Sequence, residues 1–248
     1  MGQLLERLVR AEAVGFLAIP VSGDTREDIT VDEHATGAQY RFVLPGPTIS
    51  PQESTACLEA ISEILSPSDY LVASGSLPPG VSASFYTEVA RMAAAKDSKF
   101  VLDSSGPGLK AALGSGVHMI KPSLREFIEL VEAPLADEAA YIAAARGIIA
   151  SGGTELVALT LGEKGALLIG ADFALSAAAP GVTPVSTVGA GDSFLGALVF
   201  SLAHGKAPRE SLRQAVAAGT AALLSPGTDL CHAAEVERLA RGVEVREL

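Results

Sequence analysis

The chain has 248 residues, 48% of them hydrophobic and 19% charged, with a formal net charge of −11. Its length suits one sizeable domain that buries roughly 70–75% of its unfolded surface, and its apolar content excludes a disordered chain. The acidic balance argues against a nucleic-acid partner, because binding a phosphate backbone takes a basic surface, but it leaves room for small phosphorylated ligands.

In chain order, Leu4 to Ala13 has helical spacing, with Leu4, Leu5, Leu8 and Val9 on one side. The apolar run "VGFLAIPVSG" reads as a strand, and "DITVDEHATGAQYRFVLPG" alternates around a turn as a hairpin, with Gly37 available for positive φ. From Pro51 onward helices and short apolar strands alternate. Helix 51–64 precedes "YLVAS", 84–96 precedes "KFVLDSS", 107–113 precedes "VHMIKPS", and 137–150 precedes "ELVALTLG". Two or three antiparallel strands follow in "TLGEKGALLIGADFALSAA", then helices over 190–204 and 208–224, "SPGTDL" and a last helix.

That alternation predicts an α/β fold with a mainly parallel sheet between helical layers. Ligands of such sheets bind beyond the carboxyl ends of the strands. The segments "SGSLPPG", "DSSGPG", "KPSLRE" and "TLGEKGA" fall at those ends and are expected to face one crevice. Residues 1–25 and 47–248 read as the core, and 26–46 as a small separate hairpin. Cys57 and Cys231 make no disulfide framework, and His232 beside Cys231 is only half of a metal-ligand pair. Glu6, Arg7, Arg10 and Glu12 interrupt any apolar leader, and no run reaches the ~18 apolar residues of a membrane span. A soluble cytoplasmic protein without membrane or nucleic-acid partners is expected.

The most informative stretch is "TVGAGDSFLGA", residues Thr187 to Ala197. Glycines before a helix start let backbone N–H groups converge, and a helix N-terminus favours anionic oxygens. Asp192 in the first turn could simply complement the helix dipole, worth about 0.3–1 kcal/mol. Inside an anion hole, however, a carboxylate is a poor neighbour for phosphate unless it accepts a proton from an attacking hydroxyl. No Walker A motif and no protein-kinase catalytic loop occur in the sequence.

"STVGAGDSFLGA" resembles the C-terminal signature of the ribokinase, or PfkB, family of sugar kinases. With "SGSLPPGV" (74–81), "VLDSSG" (101–106), "KPSLRE" (121–126) and "TLGEKGA" (160–166) in that order, the chain is similar to the 6-phosphofructokinase branch of that family almost to its end. The resemblance implies a ribokinase-like three-layer α/β/α sandwich with a partial β-lid at 26–46 that can pair subunits into a homodimer. It implies ATP and Mg²⁺ as cofactors, and it allows K⁺.

The reaction implied is phosphorylation of a sugar phosphate, foremost fructose 6-phosphate to fructose 1,6-bisphosphate. The alternatives are 1-phosphofructokinase or tagatose-6-phosphate kinase activity, or a non-catalytic binding role. Residue by residue, Asp192 would be the general base, and Gly189, Ala190 and Gly191 would supply the anion-hole amides. Lys121 would approach the ATP phosphates and Glu126 would organise Mg²⁺ through water, with Asp103 supporting it. Thr160 and Gly162 would line the nucleotide site, Gly227 and Thr228 would lie near the adenine, and Ser76 and Arg26 would contact the phosphorylated sugar. Arg41 is a second hairpin cation.

Two departures stand out. Ser123 occupies the place where the family has the asparagine of N-x-x-E, which predicts a changed Mg²⁺ requirement. The family's leading βαβ segment, with an aspartate for the sugar and a GG loop, has no counterpart before "MGQLLERLVRAE".

Overall fold

A computed structural model describes residues 1–33, 35, 36 and 38–248. Gly37, expected at the hairpin turn, lies outside the described residues. Helix α1 (Gly2–Ala11) opens the chain, and strands β1 (Asp28–Glu33) and β2 (Ala38–Val43) form the expected antiparallel hairpin, with Ile29 opposite Phe42 and Val31 opposite Tyr40. The expected strand "VGFLAIPVSG" is absent: residues 14–23 run as irregular backbone. An extended segment becomes a strand only beside a partner ladder, and none of the described residues offers one.

The core is a seven-stranded sheet in the order β3 (Tyr70–Ser74), β4 (Lys99–Asp103), β5 (Val117–Ile120), β6 (Leu156–Thr160), β7 (Ala166–Ile169), β8 (Ala174–Ala177) and β9 (Val245–Glu247). Strands β3 to β6 are parallel, β7 runs against β6, β8 returns to the direction of β6, and β9 runs against β8. Helices α2 (Pro51–Ile64), α3 (Phe85–Ala95), α4 (Gly106–Ala112), α5 (Leu124–Val131), α6 (Glu138–Ala150), α7 (Ala190–Ala203), α8 (Pro208–Ala222) and α9 (Ala233–Ala240) complete the chain.

The period-2 alternation of the strands divides the core in two. Phe100, Leu102, Val157 and Leu159 pack with α3 to α6 on one face, whereas Val101, Met119, Ala158 and Leu168 pack with α7 to α9 on the other. All eight strand residues are fully buried, as expected when helices cover both faces of a parallel sheet. The result is the three-layer α/β/α sandwich.

Two elements escaped the sequence reading. Helix α5 follows β5 directly, and β9 is a three-residue strand that acquires its identity only by pairing with β8. Helix α2 matches the expected bounds because Ser50 and Glu53 form a reciprocal capping box with Pro51 at the first helical position.

Candidate active site

Strands β3 to β6 all end on one edge, where hydrogen bonds stitch their loops together. The Gly75 N–H donates to the Asp103 carbonyl at 2.9 Å, that of Lys121 to Leu102 at 3.1 Å, and that of Thr160 to Pro122 at 3.1 Å. The polar segments expected at the strand ends therefore share one rim.

The N-terminus of α7 carries the anion-binding geometry. Gly189 is its N-cap at φ 78°, a left-handed conformation that only glycine takes without strain from a Cβ. It offers no capping side chain, so the N–H groups of Ala190, Gly191 and Asp192 have no intrahelical acceptor. Asp192 is exposed and makes no hydrogen bond or ion pair among the described residues. Its carboxylate does not cap the helix. Ser186, two residues before Val188, holds the loop in place: its hydroxyl donates to the Gly227 carbonyl at 2.8 Å and accepts from the Val188 N–H at 3.2 Å.

Lys121 follows β5 and is buried, with 6% of its surface exposed. Its ammonium pairs with Asp103 at 3.2 Å and comes within 3.6 Å of where a Cβ would stand on Gly191. A buried cation thus sits against the first turn of α7. Burial raises the Asp103 carboxyl above its usual range, the Lys121 ammonium opposes that, and the negative charges of Asp192 and Glu126 reinforce it. Three carboxylates and one lysine therefore share one electrostatic neighbourhood.

Ser123 and Glu126 form a second reciprocal capping box, at the start of α5. The Glu126 carboxylate accepts from the Ser123 N–H at 2.8 Å and its hydroxyl at 2.7 Å, and the Ser123 hydroxyl accepts from the Glu126 N–H at 3.4 Å. The Ser-x-x-Glu spacing before an apolar run was the sequence signal for this helix. Oxygen donors on Asp103, Glu126 and Asp192 have the hard-ligand chemistry that suits a Mg²⁺ ion carried largely by phosphates and water, although no three such side chains among the described residues lie close enough to cage an ion unaided.

A cavity of about 990 Å³ opens beside this edge, lined by Thr160, Gly162, Ala190, Gly191, Phe194 and Gly219 among others. Gly162 takes φ 62° at the start of a 3₁₀ turn. Gly219 of α8 lets the helices close up: a Cβ there would stand 3.1 Å from the Ala190 carbonyl oxygen and 3.3 Å from the Phe194 Cβ. Sequence reading missed Gly219, because its role depends on a helix crossing. Gly227 and Thr228 are not among the cavity-lining residues; Gly227 acts on the α7 loop through Ser186.

Arg26 and Ser76 also lie outside the cavity lining. The Arg26 guanidinium is 3.5 Å from Asp28, which Arg41 contacts from the other hairpin strand at 3.1 Å. A Cβ on Gly46 would touch both Arg26 and Pro78 at 3.8 Å, and the Ile49 N–H donates to the Pro79 carbonyl at 2.8 Å. The hairpin root and the "SGSLPPG" loop are thus adjacent.

Residues 1–235 match the pfkB family carbohydrate kinase pattern. The chain is 41% identical over 237 residues to the ATP-dependent 6-phosphofructokinase isozyme 2 of Mycobacterium tuberculosis (strain H37Rv), covering 96% of this chain and 70% of that protein. It is 33% identical to the 1-phosphofructokinase of Rhodobacter capsulatus, over 91% and 72% of the two chains. The solved structure of phosphofructokinase-2 from Escherichia coli in complex with potassium superposes with a TM-score of 0.92 at 36% identity, covering 97% of this chain and 78% of that one.

Proposed function

The chain belongs to the pfkB family of carbohydrate kinases, and on that premise we propose that it transfers the γ-phosphoryl group of ATP to fructose 6-phosphate, giving fructose 1,6-bisphosphate. The observation that carries this reading is the uncapped N-terminus of α7, with Lys121 buried against it and the Asp192 carboxylate without a hydrogen-bond or ion-pair partner among the described residues.

In this reading Asp192 accepts the proton of the attacking sugar hydroxyl, while the N–H groups of the Gly189–Gly191 turn and the Lys121 ammonium stabilise charge on the transferred group. Each such donor is worth roughly 3–4 kcal/mol in comparable oxyanion sites. Thr160 and Gly162 form part of the nucleotide wall. Arg26, with Ser76 on the neighbouring loop, receives the phosphate already on the sugar, a task for which a planar guanidinium fork is suited. Asp103 and Glu126 would hold the water shell of the Mg²⁺ that accompanies ATP, and this ion neutralises phosphate charge when bound. A potassium ion, present in the Escherichia coli structure, is a further candidate cofactor.

Residues 26–46 act as a lid and as the face of a homodimer. Ile29, Val31, Tyr40 and Phe42 form one exposed apolar face of the hairpin, a surface that a second copy would cover.

Phosphorus NMR of a reaction with Mg-ATP tests the assignment. A new phosphomonoester on carbon 1 of fructose 6-phosphate is expected. Turnover of fructose 1-phosphate or tagatose 6-phosphate at a higher kcat/KM would reassign the substrate to one of those sugars.

A further inference from the structure

Strand β3 is one edge of the seven-stranded sheet, and its outer side is unpaired among the described residues. The Lys99 N–H donates to the Asp69 carbonyl at 2.8 Å and the Gly75 N–H to the Asp103 carbonyl at 2.9 Å, so the odd-numbered residues of this segment face β4. By the period of two, the N–H and C=O groups of Tyr70, Val72 and Ser74 point away from the sheet. Such a row is a template for a further strand.

The helix layer over this edge stops short. Val72 stands opposite Val101, and Val101 opposite Met119, in one row on the same face of the sheet. Val101 and Met119 are fully buried, whereas Val72 is 42% exposed. On this face α8 lies between α7 and α9 and packs against β7, β8 and β9, so α7 is the last helix toward β3. From Ser193 to Ala203 it has no charged side chain. A helix that is apolar all round is ordinarily buried all round, yet Phe200 is 60% exposed and its ring lies against the exposed His204, with centroids 4.1 Å apart.

We propose that this edge is an interaction surface for a polypeptide that adds one strand to β3 and lays an amphipathic helix over Val72 beside α7. The chemistry of the partner follows from the surface. Its strand pairs through the backbone and is apolar toward the Val72 side, and its helix is apolar toward Phe200 and polar outward. The length of the relatives argues for such an occupant. The match of 237 residues spans 70% of the Mycobacterium tuberculosis protein and leaves about 100 of its residues unmatched, whereas a strand–helix–strand unit takes about 30.

The test uses the intact chain and, as probe, the longest stretch of the Mycobacterium tuberculosis relative outside the match, made as a separate polypeptide. Sedimentation should show a one-to-one complex, and hydrogen exchange of the Tyr70, Val72 and Ser74 amides should slow about tenfold or more in it. Val72→Pro removes an outward N–H that β4 does not use, and Phe200→Lys changes an exposed side chain. Each should weaken the complex roughly tenfold or more while the free chain still unfolds cooperatively. Failure to form a complex overturns the inference, as does a complex whose new protection falls on β1 and β2, or undiminished binding by Phe200→Lys. Protection of β3 that rises with the concentration of this chain alone would give the edge to a second copy and overturn it as well.

Discussion

Lys121 is a cation in a place where a cation needs a reason, and Asp103 is its partner at 3.2 Å, with side chains 7% and 17% exposed. Burial raises the Asp103 carboxyl, and Asp192 and Glu126 push in the same direction. A raised carboxyl binds its proton more tightly in the folded state. Its contribution to stability is therefore fully present below the unfolded pKa of about 3.9 and declines as pH rises through the folded value. Lys121→Met would strand a carboxylate among two others. We expect that variant to lose about 3–5 kcal/mol at neutral pH, the loss typical of a broken buried pair. The deficit should shrink on acidification, since Asp103 can then go neutral. Urea unfolding of both proteins at neutral and mildly acidic pH checks this, and a deficit independent of pH would contradict it.

Elements carry the next set of consequences. The irregular strap 14–27 is tied to α2 by the Glu53 carboxylate, which accepts from the Ser22 N–H at 2.6 Å as well as from the Ser50 N–H at 2.7 Å. Those bonds, the Ser50 backbone foremost, hold the Glu53 pKa at about 2, below its ordinary 4.5. A depressed carboxylate stabilises above its unfolded pKa, and that contribution is lost as pH falls from 4.5 through about 2. Glu53→Gln should preserve α2, because glutamine also serves a capping box. It should speed amide exchange of the strap several-fold, with α2 protection unchanged; faster exchange in α2 with the strap unchanged would show that Glu53 serves only the helix.

Gly219→Ala sets two effects against each other. Alanine gains about 0.5–1 kcal/mol of helix propensity over glycine, but its Cβ meets the Ala190 carbonyl at 3.1 Å, and overpacking costs about 1–3 kcal/mol. Stability should fall by no more than about 2.5 kcal/mol, whereas kcat should fall roughly tenfold or more as the α7 turn shifts. Thermal unfolding beside steady-state kinetics separates the two.

The same elements show what was legible in advance. The strand–helix alternation and the glycine-led start of α7 were readable because each depends on local spacing. The run "VGFLAIPVSG" has the apolar content of a strand, but pairing is a tertiary property and no described neighbour supplies it. Strand β9 is the converse, too short to signal itself and defined by β8. The Lys121–Asp103 pair and the Gly219 contact join residues distant in sequence, so only the packed sheet and helix layers reveal them.

At the scale of the whole molecule, the hairpin leaves Ile29, Val31, Tyr40 and Phe42 between 46% and 55% exposed on one face, while the core sheet inward of β3 is covered on both sides. A homodimer through that face would bury it. Phe42→Lys should then dissociate the assembly at micromolar concentrations in sedimentation analysis without changing the core's unfolding midpoint measured under monomeric conditions. A wild-type chain that sediments as a monomer at all concentrations would refute the pairing.

The proposed reaction turns on one chemical event, proton removal by Asp192 as phosphate leaves the nucleotide. The direct measurement is ADP release from Mg-ATP with fructose 6-phosphate, comparing the chain with Asp192→Ala. Losing a positioned base should lower kcat by roughly 10²–10⁴ while nucleotide binding by calorimetry stays intact. Sugar-dependent turnover that survives the substitution would contradict the assignment of Asp192, and tight nucleotide binding with no turnover in either protein would contradict the kinase reaction itself.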